Sequence, residues 1–191
     1  MHLIYLLVIG LFTASTSHSS EAATAQKHNN QPYAGQEQRE IKSLSTQDID
    51  DLEKGRGWGL AKAAELNGVP GPSHLLELQR EIGLSKDQVS RVEHLFDGMK
   101  KDAIPLGRQM IVLERRLNDG FAKGQMTDEN LKTNLAEISD TLSVLRYVHL
   151  TTHLKTVKIL NQAQIQKYNQ LRGYAASGAN SRHSINNKHI H

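Results

Sequence analysis

The chain of 191 residues has no cysteine. That absence excludes a disulfide framework, a cysteine-ligated zinc site, a thiol nucleophile and a lipoprotein anchor. Aromatic residues are scarce at 5%, and hydrophobic residues reach only 38%. So thin an apolar supply suits long amphipathic helices better than a sandwich or barrel core. Charge of one sign is also lacking: 23 Lys and Arg face 20 Asp and Glu, a net +3. With no Lys/Arg block or recognition motif either, nucleic acid is not an expected partner. The G-x-S-x-G, P-loop, H-E-x-x-H and Rossmann glycine patterns are all missing, so no catalytic constellation and no enzyme is expected.

What is present begins with Leu3 to Ala14, LIYLLVIGLFTA, an apolar run far short of the ~20 residues that span a bilayer. Small and polar residues follow, and Ala23-Thr24-Ala25 offers an A-x-A cleavage pattern. Residues 1–25 therefore read as a secretory signal peptide. Residues 26–44 are rich in Gln, Asn and Glu, with Pro32 and Gly35, and read as a disordered linker. Residues 175–191 read as a disordered tail carrying His183, His189 and His191. The folded region is then 45–174.

Within it, Asp48 to Glu53 reads as a short helix capped by Ser45 or Thr46 and broken by Gly55, Gly57 and Gly59. Leu60 to Leu66 is a second short piece, stopped by Asn67-Gly68 and Pro70-Gly71-Pro72. Ser73 is placed to cap His74 to Ile82, with Gly83 as the stop. Ser85 and Gln88 form a capping box. From there apolar residues recur at Val89, Val92, Phe96, Met99, Ala103, Leu106, Met110, Leu113 and Leu117, an unbroken a/d seam. Pro105, flanked by Gly98 and Gly107, predicts a bend near residues 101–105. Gly120 and Gly124 mark a turn, and Thr127 caps the next helix. Its seam runs Leu131, Leu135, Ile138, Leu142 and Leu145, then turns polar at His149, Thr152 and Thr156 before Ile159. Asn161 and Gln164 open a last helix ending near Tyr174. The expected fold is all-α: a long bent antiparallel hairpin with short flanking helices. One hairpin does not bury both of its faces, so either the short helices or a second copy must cover it. A symmetric homodimer is the economical expectation.

Two copies of an L-[S/T/N]-x-x-Q pattern stand out: Leu84-Ser85-Lys86-Asp87-Gln88 and Leu160-Asn161-Gln162-Ala163-Gln164. In a secreted, cysteine-free, helical chain this resembles the Spy/CpxP-like LTxxQ family of periplasmic proteins. Glu65-Leu66-Asn67-Gly68-Val69-Pro70-Gly71-Pro72 and His149-Leu150-x-x-His153-Leu154 resemble its periplasmic heavy-metal-sensor or refolding-chaperone subgroup. The second copy has Asn161 where the family has Thr. The resemblance implies a periplasmic location, a cradle-like homodimer and ATP-independent holding of unfolded or misfolded clients on a concave face. The residues that fit such a face are Lys100, Lys101, Arg108, Arg115 and Arg116, interleaved with Ile104, Met110, Ile111 and Val112. A solvated charged face beside a dimer seam fits them as well. Glu114 and Arg146 would pair across the hairpin.

A second reading on the same fold is a metal-binding sensor. His149 and His153, one turn apart, share a helix face. Mirroring the hairpin about a turn at 121–126 puts them opposite about residues 98 and 94. That makes His94 and Asp97 candidate further ligands, with Glu93 a weaker one. Such a set suits zinc, nickel, cobalt or copper, although no cofactor is required. Simple hydrogen bonding across the hairpin is the other role for these histidines. A third reading is a dimeric adaptor for the ectodomain of a membrane sensor protein.

Overall fold

Short polar side chains start the helices. Ser45 accepts from the backbone N–H of Asp48 and Ser85 from that of Gln88, each closing a capping box. Thr127 and Asn161 accept in the same way from Asn130 and Gln164. The computed structural model describes residues 32–174. The apolar run Leu3–Ala14 with Ala23-Thr24-Ala25, expected as a signal peptide, and residues 175–191 with His183, His189 and His191 lie outside the described residues.

Among the described residues there are seven α-helices and no strand: α1 (Thr46–Glu53), α2 (Lys62–Glu65), α3 (Pro72–Glu77), α4 (Gln79–Ile82), α5 (Lys86–Ala122), α6 (Asp128–Val157) and α7 (Gln162–Leu171). None of these is long and apolar enough to cross a membrane. Residues 32–38 belong to a unit of their own, a turn leading into the 3-10 helix Gln36–Gln38 in which Gln36 Nε2 donates to the Pro32 carbonyl at 3.1 Å. Everything below concerns residues 39–174.

The two long helices, of 37 and 30 residues, pack on each other as a hairpin. Helical backbone continues through Pro105. Gly124, at φ 63, lies in the turn, where a left-handed residue is needed. Gly120 does not mark the turn but stays inside α5. A Cβ there would sit 2.2 Å from Met126 Cε, so this glycine makes room for a methionine.

The seam of α5 is buried at Val92, Met99, Ala103, Met110 and Leu113. Its cover comes from within the chain. Ile41, Leu44, Leu52 and Leu60 pack with Ala103, Met110, Ile111 and Leu145 in one apolar cluster. This corrects the linker assignment for residues 39–44. Ile41 is 0% exposed and Leu44 4%, while the polar residues around them bond to α5. Ser43 Oγ donates to Glu114 at 2.7 Å, and the Lys42 N–H donates to Asn118 at 3.2 Å. Two apolar residues three apart suffice to dock an otherwise polar segment. α1 approaches α5 so closely that a Cβ on Gly107 would lie 2.2 Å from the Leu52 carbonyl oxygen.

A second cluster joins Leu75, Ile82, Val92 and Tyr168 at the other end of the hairpin. Here α3 begins with Pro72 at its first turn, preceded by Gly71, so Ser73 is not the cap. Leu78, at φ −102 and ψ 15, separates α3 from α4, which ends at left-handed Gly83 as its stop signal requires. The piece expected over Leu60 to Leu66 is helical only at Lys62–Glu65. Burying each of these Leu or Ile side chains stabilises the fold by about 1.5–3 kcal/mol.

Candidate functional site

The two motif glutamines, 76 residues apart, meet in space. Gln88 Nε2 donates to Gln164 Oε1 at 2.8 Å, and Gln164 Nε2 donates back to Gln88 Oε1 at 2.9 Å. Each oxygen also accepts from its own cap: Ser85 N–H at 3.0 Å and Asn161 N–H at 3.1 Å. Each amide nitrogen donates further, to Ile159 O at 2.9 Å and Gly83 O at 3.2 Å. This reciprocal clasp ties the start of α5 to the start of α7. Each glutamine is readable as a cap in the sequence, but nothing local signals that the two join.

Beside the clasp's end of the hairpin, Glu65 is the hub of a buried polar cluster. The Tyr168 hydroxyl donates to its carboxylate, His74 Nδ1 lies at 3.1 Å, Arg172 Nε at 3.6 Å and His153 Nδ1 at 3.9 Å. These groups come from α2, α3, α6, α7 and the residue after α7, so Glu65 links most of the short elements. Burial first, then the Glu65 bond, pushes the Tyr168 phenol well up, keeping it a donor. His153 Nδ1–H donates to Val69 O at 2.8 Å. Its other face meets Gly71, where a Cβ would stand 2.5 Å from Nε2. His153 thus braces the 69–71 loop, and Gly71 gives it space.

His149, one turn earlier, is 3% exposed, and its Nε2 has no hydrogen-bond partner. Burial lowers its pKa from the ordinary 6.5 to about 4, and His153 acts in the same direction. It therefore stays neutral at pH 7. A groove of about 740 Å³ runs past His149, His153, Phe96, Met99 and the 54–59 loop.

The structure does not assemble the four proposed metal ligands. His94 and Asp97 are exposed, as is Glu93, while His149 and His153 are buried. Among the described residues no three His, Asp or Glu side chains form a group that could hold a metal ion. The mirror register fixes the height along the hairpin but not the rotation. At that height Phe96 and Met99 occupy the inward face of α5, turning His94 and Asp97 outward.

The proposed client face also divides. Lys101 and Arg108 are exposed, Ile104 is half-buried, and Lys100 lies over the Phe96 ring with its Nζ 5.5 Å from the centroid. Met110 and Ile111, at 1% and 8% exposure, are core residues and do not face a client. Arg115 pairs with Glu40, and Arg116 with Glu137 and Asn134. Glu114 accepts from Ser43 rather than pairing with Arg146, which is exposed. Further exposed apolar side chains, outside the proposed face, are Phe121, Val144, Tyr147 and Leu154. Val144, Tyr147 and Leu154 fall three and seven apart, a stripe legible by spacing once the seam is assigned elsewhere. No protein-family model, curated protein or solved structure matches this chain.

Proposed function

We propose that this chain is a periplasmic, ATP-independent chaperone of the Spy/CpxP type, binding non-native segments of other proteins on its long hairpin. One observation carries the reading. Val112, Phe121, Tyr147 and Leu154 are between 59% and 69% exposed on helices whose core-facing sides are already covered from within the chain. Uncovered apolar side chains on a rigid scaffold, interleaved with Lys101, Arg108, Arg146 and Lys155, suit weak, many-way capture of exposed client segments. The paired L-x-x-x-Q motifs, joined through their glutamines, support the family likeness. The exposed stripe also suits a second copy, and the working state is taken to be a homodimer.

Aggregation of several unrelated clients, followed by light scattering without ATP, tests this. The protein suppresses aggregation near stoichiometric ratios, and Tyr147→Ser/Leu154→Ser weakens suppression while leaving helicity intact. A folded protein that protects no client overturns the reading. The location rests on Leu3–Ala14 and Ala23-Thr24-Ala25, and mass spectrometry of envelope fractions should find a mature N-terminus near Gln26.

A further inference from the structure

The groove beside the 54–59 loop differs in chemistry from the exposed stripe of α6. Its volume of about 740 Å³ falls inside the ~300–1,000 Å³ typical of small-molecule sites. Its rim is Lys54-Gly55-Arg56-Gly57-Trp58-Gly59, a run that the chaperone reading does not use. Trp58 sits at φ 40, a left-handed conformation rare for a bulky residue. Its Nε1–H donates to Asp48 at 2.9 Å, and its ring packs against the apolar core. Phe96, Met99 and Tyr174 complete an apolar wall.

The charges on this wall are not balanced locally. Lys54 and Arg56 are taken up by Asp50 and Asp51, and Glu65 by His74 and Arg172. Lys62 and Lys100 line the groove with no carboxylate in ion-pair range among the described residues, against one unpaired acid, Glu77. His149 lies on the same wall, more than nine-tenths buried, with Nε2 lacking any protein partner. A buried polar nitrogen without a partner is costly, and a ligand atom would satisfy it.

We propose that this groove binds a small amphipathic organic anion, a carboxylate on an alkyl or aromatic body. The body lies between Trp58 and Phe96, the headgroup is held by Lys62 and Lys100, and His149 Nε2 finds its partner in the ligand. Trp58 is the only tryptophan in the chain, so its fluorescence reports on this groove alone. The full chain is titrated with decanoate, with decanol and with decyltrimethylammonium. Decanoate alone should give a saturable change in Trp58 emission. Lys62→Gln/Lys100→Gln, one exposed and one half-buried position outside the apolar core, should weaken it at least ~10-fold, about 1.4 kcal/mol. Glu77→Gln should tighten it, and Lys101→Gln, outside the groove, should leave it unchanged. No change in Trp58 emission, equal binding of all three headgroups, or an unaltered affinity in the double lysine variant would overturn the proposal.

Discussion

The two long helices share a seam spacing and differ in what they bury. α5 turns Val92, Met99, Ala103, Met110 and Leu113 inward. α6 turns inward Asn134, Thr141, His149, Thr152, His153 and Thr156, with Leu145 as the one fully buried aliphatic among them. On that polar seam Asn134, Thr152, His153 and Thr156 are hydrogen-bonded, while His149 Nε2 is left without a partner. Thr152 and Thr156 hydroxyls donate to the carbonyls one turn back, each at 2.8 Å. Asn134 accepts from Arg116 at 2.5 Å. Period identifies the buried face of α6 from Leu145 to Thr156, but before it Asn134 and Thr141 are buried while Leu135, a member of the aliphatic seam, is 47% exposed.

The largest test of this contrast is truncation of one seam against the other. Met110→Ala in α5 should cost about 2–5 kcal/mol by cavity formation. Thr156→Val in α6 should stay within about 1 kcal/mol, since the Thr152 carbonyl it releases keeps its helical partner. Denaturant unfolding reads both, and equal losses would erase the contrast. Acid is the next probe. The folded pKa of His149 lies below its unfolded value, so between the two the native state binds fewer protons than the unfolded chain and stability falls as pH falls. Its contribution is complete above about 6.5 and lost toward about 4, a span worth ~3 kcal/mol. The difference between the parent and His149→Gln across that window isolates it, and identical pH profiles would show that His149 is not buried neutral. A double-mutant cycle on Gln88→Ala and Gln164→Ala comes third. Coupling of about 1 kcal/mol or more is expected for two direct bonds, whereas additive losses would reduce each glutamine to a separate cap. Smallest, and opposite in sign, is Gly98→Ala. No atom lies within 4 Å of the added Cβ, so α5 should gain about 0.5–1 kcal/mol.

Local signals carried most of the fold. Ser85, Thr127, Asn161 and Gly83 each act through neighbours within four residues, so their roles are legible from sequence. Tertiary partners are not. Ile41 and Leu44 look stranded in a polar stretch until Met110 and Ile111 are known to lie beneath them. Met110 reads both as seam and as client face, and Ile111 as client face, because Arg108 and Arg115 flank them, yet a helix turns by 100° per residue and separates neighbours within a turn. Of the candidate site, His149 and His153 were legible as one face. Glu65 stands out in the sequence only as part of a motif, and its role depends on Tyr168 and Arg172, more than a hundred residues later. No periodicity encodes such a meeting.

The glutamine clasp restricts how the sequence can drift. At each position one side-chain terminus must accept from a cap N–H and donate to a carbonyl while exchanging a bond with its counterpart. Glutamate offers only acceptors at neutral pH and lysine only donors, and asparagine is one methylene shorter. Neither site can change alone without breaking four hydrogen bonds at once. The two positions should therefore behave as a single character: chains descended from a common ancestor with this one should keep both amides or lose both together.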